Sequence, residues 1–190
     1  MTTIWVDASS GASGDMLLGA LLHAGVPQGV VQRAVDAVAF EGVRLTQESV
    51  LRNGFAALRC VVEVAPAEER RTWAAVRERL AAAPLEAAVR ELAATVFANL
   101  AVAEGVVHGL DPDEVHFHEV GALDAIADVV GVCAGFVHLA ASEVVVSPVA
   151  VGSGSVSGVH GTLAVPPPAV LELLRGIPSY AGPPSAPPPC

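Results

Sequence analysis

Apolar residues fall in short blocks separated by Gly, Pro and charged breaks, and the spacing inside each block predicts its element. Residues 2–6 form a brief buried strand that opens into the turn-rich loop Asp7-Ala8-Ser9-Ser10-Gly11-Ala12-Ser13-Gly14-Asp15. From Asp15, the leucines at 17, 18, 21 and 22 recur at helical spacing up to Gly25, and Pro27 starts a second helix that runs to about residue 38. The period then changes. Val43, Leu45 and Leu51 on one side of Asn53-Gly54, and Leu58, Cys60, Val62 and Val64 on the other, predict two strands joined by a tight hairpin turn. The charge run Glu68-Glu69-Arg70-Arg71 leads into a helix over 72–83, broken by Pro84. A longer helix over 85–107 carries Val89, Leu92, Val96, Leu100 and Val107 as its predicted buried stripe and stops at His108-Gly109.

A further apolar helix is predicted to begin near Gly121 and end near Ala141, followed by a short strand over 143–146 and one or two strands before Val165. A last helix over 166–174 has proline in its first turn, where the missing N–H is harmless. Residues 181–190 are Pro-rich and read as a linker or disordered tail. The resulting class is α/β (α+β): a small mixed sheet with several packed helices, as one domain over 1–180 or two small lobes.

Composition narrows the function. In 190 residues with 53% hydrophobic content there is enough apolar surface for a core, and a net charge of −10 argues against nucleic-acid or anionic-membrane partners. The low charged fraction, 16%, favours a homo-oligomer or a domain interface. The first residues lack the basic and apolar regions of a signal peptide, and the apolar run over 125–141 is interrupted by Asp128 and His138, so a cytoplasmic protein without a membrane span is expected. Cys60, Cys133 and Cys190 are too widely spaced for a disulfide framework or a Cys-rich zinc site; the first two read as small core residues and the last as a mobile end.

The densest chemistry lies in residues 116–128, with two His and three carboxylates, Glu119, Asp124 and Asp128. In an extended segment His116 and His118 share a face, and in a helix Asp124 and Asp128 lie one turn apart. Neighbouring aspartates repel unless a cation or basic group sits between them, and imidazole with carboxylate suits Zn, Ni, Fe or Mn. The loop Ser10-Gly11-Ala12-Ser13-Gly14 before the first helix can present N–H groups to an anion, although it is no Walker loop, and Asp7 with Asp15 can flank a cation. Ser13 as an N-cap and Asp15 as a first-turn charge explain the same residues without a ligand. A second loop, Gly152-Ser153-Gly154, leads to His160-Gly161, where either ligand approach or a plain hairpin accounts for the glycines.

The ordered motifs Asp7-x-x-Ser10-Gly11-x-Ser13-Gly14-Asp15-Met16, Glu114-Val115-His116-Phe117-His118-Glu119-Val120-Gly121-Ala122-Leu123-Asp124, and Gly152-Ser153-Gly154 with His160-Gly161 and Val165-Pro166 resemble the nickel-pincer cofactor biosynthesis family LarC. Ala8-Ser9 stands where that family often has Cys-Phe, so no thiol is offered there. The resemblance implies the N-terminal part of a CTP-dependent cyclometallase, a lyase, which inserts nickel into pyridinium-3,5-bisthiocarboxylic acid mononucleotide to make the cofactor of lactate racemase. By motif it implies Asp7, Asp15, His116, His118, Asp124 and His160 as metal residues and His118 and Glu119 as catalytic ones. It likewise implies Ser10, Gly11, Ser13, Gly14, Gly152, Ser153 and Gly154 as substrate-binding. CTP and a divalent metal would belong to a C-terminal domain outside this chain, supplied as a separate partner or continuation. The alternatives are a non-catalytic metal- or substrate-binding domain and a metal-dependent phosphoester hydrolase.

Overall fold

The computed structural model describes residues 2–38, 42–64, 71–117, 123–158 and 160–182. The charge run before residue 71 and Cys190 with most of the Pro-rich tail therefore lie outside the described residues. The elements follow the predicted order: β1 Thr3–Val6, α1 Gly14–His23, α2 Gln28–Val38, β2 Val43–Arg52, β3 Phe55–Val64, α3 Trp73–Ala82, α4 Ala87–His108, α5 Leu123–His138, β4 Glu143–Val146, β5 Val149–Ala150, β6 Ser155–Gly158, β7 Gly161–Ala164, α6 Pro168–Leu173 and β8 Ser179–Tyr180.

The class is mixed α/β, and among the described residues the strands fall into four two-stranded ladders. Two are antiparallel hairpins, β2–β3 and β6–β7, and two are parallel pairs, β1–β4 and β5–β8. Asn53 (φ 50°) and Gly54 (φ 83°) both adopt the left-handed conformation that a two-residue hairpin loop requires, which fixes the register Arg52↔Phe55 along the whole ladder. The short pairing of β8 beside β5 is not visible in the sequence, because two residues carry no periodicity.

Helix α5 is the centre of the fold. It packs against α1, α2 and α4 and joins two buried clusters, one around Trp73, Leu80, Phe97, Phe117 and Val130, the other around Leu18, Val31, Leu45, Cys60 and Ala127. Close approach depends on small residues. A Cβ on Gly131 would lie 2.8 Å from Val31 Cγ1 and 2.9 Å from Leu18 Cδ2, and one on Gly135 would lie 2.8 Å from Leu21 Cδ1. Cys60 and Cys133 are buried core residues, as the apolar context predicts.

The predicted stripe of α4 is only partly correct. Val89 is buried, but Leu92, Val96 and Val107 are exposed, and the packed face is Val89, Ala93, Phe97 and Ala101. Alanines let the α4 backbone come close to its neighbours while Phe97 fills the space between them, so size alone misidentifies the inward face. Helix α4 ends as predicted at Gly109, in the left-handed conformation (φ 67°). No helix among the described residues is long and apolar enough to cross a membrane.

Candidate functional site

The loop after β1 is stitched to the second half of the chain. Ala8 N–H donates to Ser147 Oγ (2.8 Å), the Ala8 carbonyl accepts from Gly11 N–H and Ala150 N–H (3.0 Å each), and Tyr180 Oη donates to the Ser9 carbonyl (2.9 Å). Gly11, at φ 87°, lies so close to β5 that a Cβ would sit 3.5 Å from the Ala150 carbonyl oxygen. Gly152 follows two residues later. The tertiary structure thus brings Gly11 against Ala150, although 139 residues separate them in sequence (150 − 11).

At the start of α1, Ser13 occupies the N-cap position without a side-chain bond to the helix backbone; its hydroxyl is turned to Asp15. The same Asp15 carboxylate accepts from Met16 N–H (2.9 Å). Gly14 abuts α5: a Cβ there would lie 2.4 Å from Asp128 Oδ2 and 2.5 Å from Asp128 Cβ. Only glycine allows the first turn of α1 to rest on that carboxylate.

Asp128 is the most perturbed carboxyl of the site. Burial, then the neighbouring charges of Asp15 and Asp124, push it up to about 7. Its Oδ1 is buried and has no hydrogen-bond partner among the described residues. Asp124, in the first turn of α5, is exposed and accepts from Ala125 N–H (2.9 Å). Asp7, at the end of β1, is held below the usual carboxylate range by the Ser9 hydroxyl and the Ser9 backbone N–H, the latter at 2.9 Å. Burial raises the Cys60 thiol to about 11, with Asp128 and then Asp15 adding to the shift.

Of the predicted histidines, His116 and His160 lie elsewhere. His116 sits in an extended segment that bridges to Thr72, with Phe117 N–H bonded to the Arg71 carbonyl and Trp73 N–H to the Val115 carbonyl, both at 3.1 Å. Val115 and Phe117 turn into the core and His116 turns outward. His160, at the tip of the β6–β7 hairpin, packs its ring 5.1 Å from that of His108 at the end of α4, and His108 Nε2 is 3.3 Å from Glu104. His118 and Glu119 lie outside the described residues. Among the described residues no group of three His, Cys, Asp or Glu side chains is placed to hold a metal ion. Asp128, absent from the motif-derived set, was marked in the sequence only by its spacing from Asp124; its approach to Gly14 is a tertiary contact.

The class defined by this geometry is a mixed α/β protein in which the first turn of α1 rests on a buried α5 carboxyl and the loop before α1 is bonded to β5. The chain belongs to the nickel insertion protein family, whose model matches residues 4–187. It is 69% identical over 182 residues to the pyridinium-3,5-bisthiocarboxylic acid mononucleotide nickel insertion protein of Nocardioides sp., covering 96% of this chain and 46% of the relative. A putative nickel insertion protein of Thermomicrobium roseum is 45% identical over 188 residues, 98% of this chain and 45% of its own length. A protein of Desulfitobacterium hafniense bearing the same name as the Nocardioides relative is 39% identical over 181 residues, 95% of this chain and 45% of its own. The chain therefore spans about half the length of the curated relatives it matches. No solved structure matches it.

Proposed function

We propose that this chain is the part of a cytoplasmic nickel-inserting cyclometallase that receives nickel and the precursor pyridinium-3,5-bisthiocarboxylic acid mononucleotide. The single observation that carries this reading is the buried Oδ1 of Asp128, which has no hydrogen-bond partner among the described residues, where Gly14 brings α1 onto α5. The charges of Asp15 and Asp124 both act on Asp128, and because these three side chains do not by themselves form a metal-holding group, the reading needs a further ligand, for which imidazole beside carboxylate suits nickel. In this reading His118, five positions before Leu123 in the sequence, supplies that imidazole. The Gly11 and Gly154 loops, in this reading, hold the phosphate and carboxyl-derived groups of the nucleotide through their N–H groups.

Nickel is a substrate here, and the reaction balances simply. The C4–H bond of the pyridinium ring breaks, its proton passes to a protein base, and the electron pair left on C4 forms the carbon–nickel bond. His118 and Glu119 are the candidate bases, since a base must lie within hydrogen-bond reach of that proton. CTP and its divalent metal are assigned in this reading to the half of the family's length that this chain does not span. The product is the cofactor of lactate racemase and the reaction is that of a lyase.

The test is nickel affinity of the purified chain, wild type against Asp128→Asn and against His116→Ala/His118→Ala, with and without the precursor. At least a tenfold loss of affinity in both variants is expected. Unchanged affinity in both would remove the metal site from this chain and leave a substrate-holding domain. Phosphate release from a generic ester without nickel transfer would favour a hydrolase.

A further inference from the structure

The β1–β4 ladder is poorly covered for what it is. Parallel strands normally have both faces buried, because their crossover connections lay other elements over them. Here Trp5 is 63% exposed, and its register partner Val145 stands beside it at 41%. On the other face Val144 and Val146 are exposed as well, against half-buried Ile4 and Val6. Among the described residues each strand has one neighbour only, so each has an open edge. Strand β1 carries no charged residue and no proline, the devices that normally keep a free edge from pairing.

The described chain begins at this ladder and ends at β5, the strand that follows β4. Thr2 accepts from Ser142 N–H (2.9 Å) where β1 starts beside β4. At the other end, Tyr180 is tied to Ser9 by a 2.9 Å hydrogen bond, and a Cβ on Gly182 would lie 3.3 Å from Ala150 Cβ. In a relative that shares this fold and is more than twice as long, the additional half is tethered near this ladder whichever end it leaves from, since Thr2 borders β1 and Gly182 lies at Ala150, four positions after β4. A short tether gives a local concentration on the order of millimolar, which favours docking of the attached half over a free molecule. A second copy would also bring another −10 of charge to the contact.

We infer that the Trp5–Val145 face of the β1–β4 ladder is the seat of the half of the family's length that this chain does not span, docked through apolar side chains and strand edges. The inference rests on the fold and is independent of the nickel chemistry, since its readout contains neither metal nor nucleotide. Hydrogen exchange is measured on this chain and on the full-length Nocardioides relative under the same conditions. Segments matching 3–6 and 143–146 are expected to exchange at least tenfold more slowly in the relative, while the β6–β7 hairpin exchanges alike in both. Aspartate at the position matching Val145 is expected to restore fast exchange in the relative, while Val145→Asp leaves the urea midpoint of this chain unchanged. Equal rates in the two proteins would overturn the inference. Protection in this chain that grows with its own concentration would also overturn it, assigning the face to a second copy.

Discussion

Replacing Asp128 with asparagine removes a charge while keeping the side chain's shape, and its effect on stability follows from the position of the carboxyl. Burial and the charges of Asp15 and Asp124 raise Asp128 from an ordinary 3.8 to about 7. The folded protein therefore binds this proton more tightly than the unfolded chain does. The stability due to Asp128 is complete below pH 4, declines as pH rises from about 4 to 7, and is lost above about 7. A difference of that size corresponds to roughly 4 kcal/mol at full strength. Asp128 keeps contact with solvent, and screening reduces the figure to about 1–2 kcal/mol. Asp128→Asn should thus match wild type near pH 4 and exceed it by about 1–2 kcal/mol at pH 8, a rise in Tm of about 2–8 °C. Urea unfolding of both proteins at pH 4.5, 6 and 8, with divalent ions chelated, measures the difference. A variant no more stable than wild type at pH 8, or an advantage that does not change with pH, would refute the assignment of strain to a charged Asp128.

Other substitutions test the packing around the site. Gly14→Ala should push Asp128 from its position and cost about 1–3 kcal/mol, read by urea unfolding, with a parallel loss of nickel affinity if the two elements form one site. Gly131→Ala meets Val31 and Leu18 in the same way and should cost about 1–3 kcal/mol without altering the pH dependence described for Asp128. Phe97, fully buried between Trp73 and Phe117, should cost about 3–5 kcal/mol when truncated to Ala, as measured by thermal or urea unfolding. Burial pushes the Cys60 thiol to about 11 and the Cys133 thiol to about 12, so both should escape a thiol reagent at pH 8 in the native protein and react after denaturation, as peptide mapping would show.

The sequence by itself determined the elements whose signals are local. Asn53-Gly54 set the hairpin turn and Gly109 ended α4. The run of motifs over most of the chain was also enough to indicate the family. Tertiary structure decided the rest. The inward face of α4 was chosen by how closely alanines let helices approach, a property of the partner surfaces that residue size along one helix does not encode. Asp128 became the strained carboxyl because Gly14, 114 residues away (128 − 14), leaves room for α1 to rest on it. His160 met His108 because the β6–β7 hairpin reaches the end of α4. Spacing along a chain specifies which residues share a face; which faces meet depends on the packing of elements distant in sequence, and that is where the environment of each charge is set.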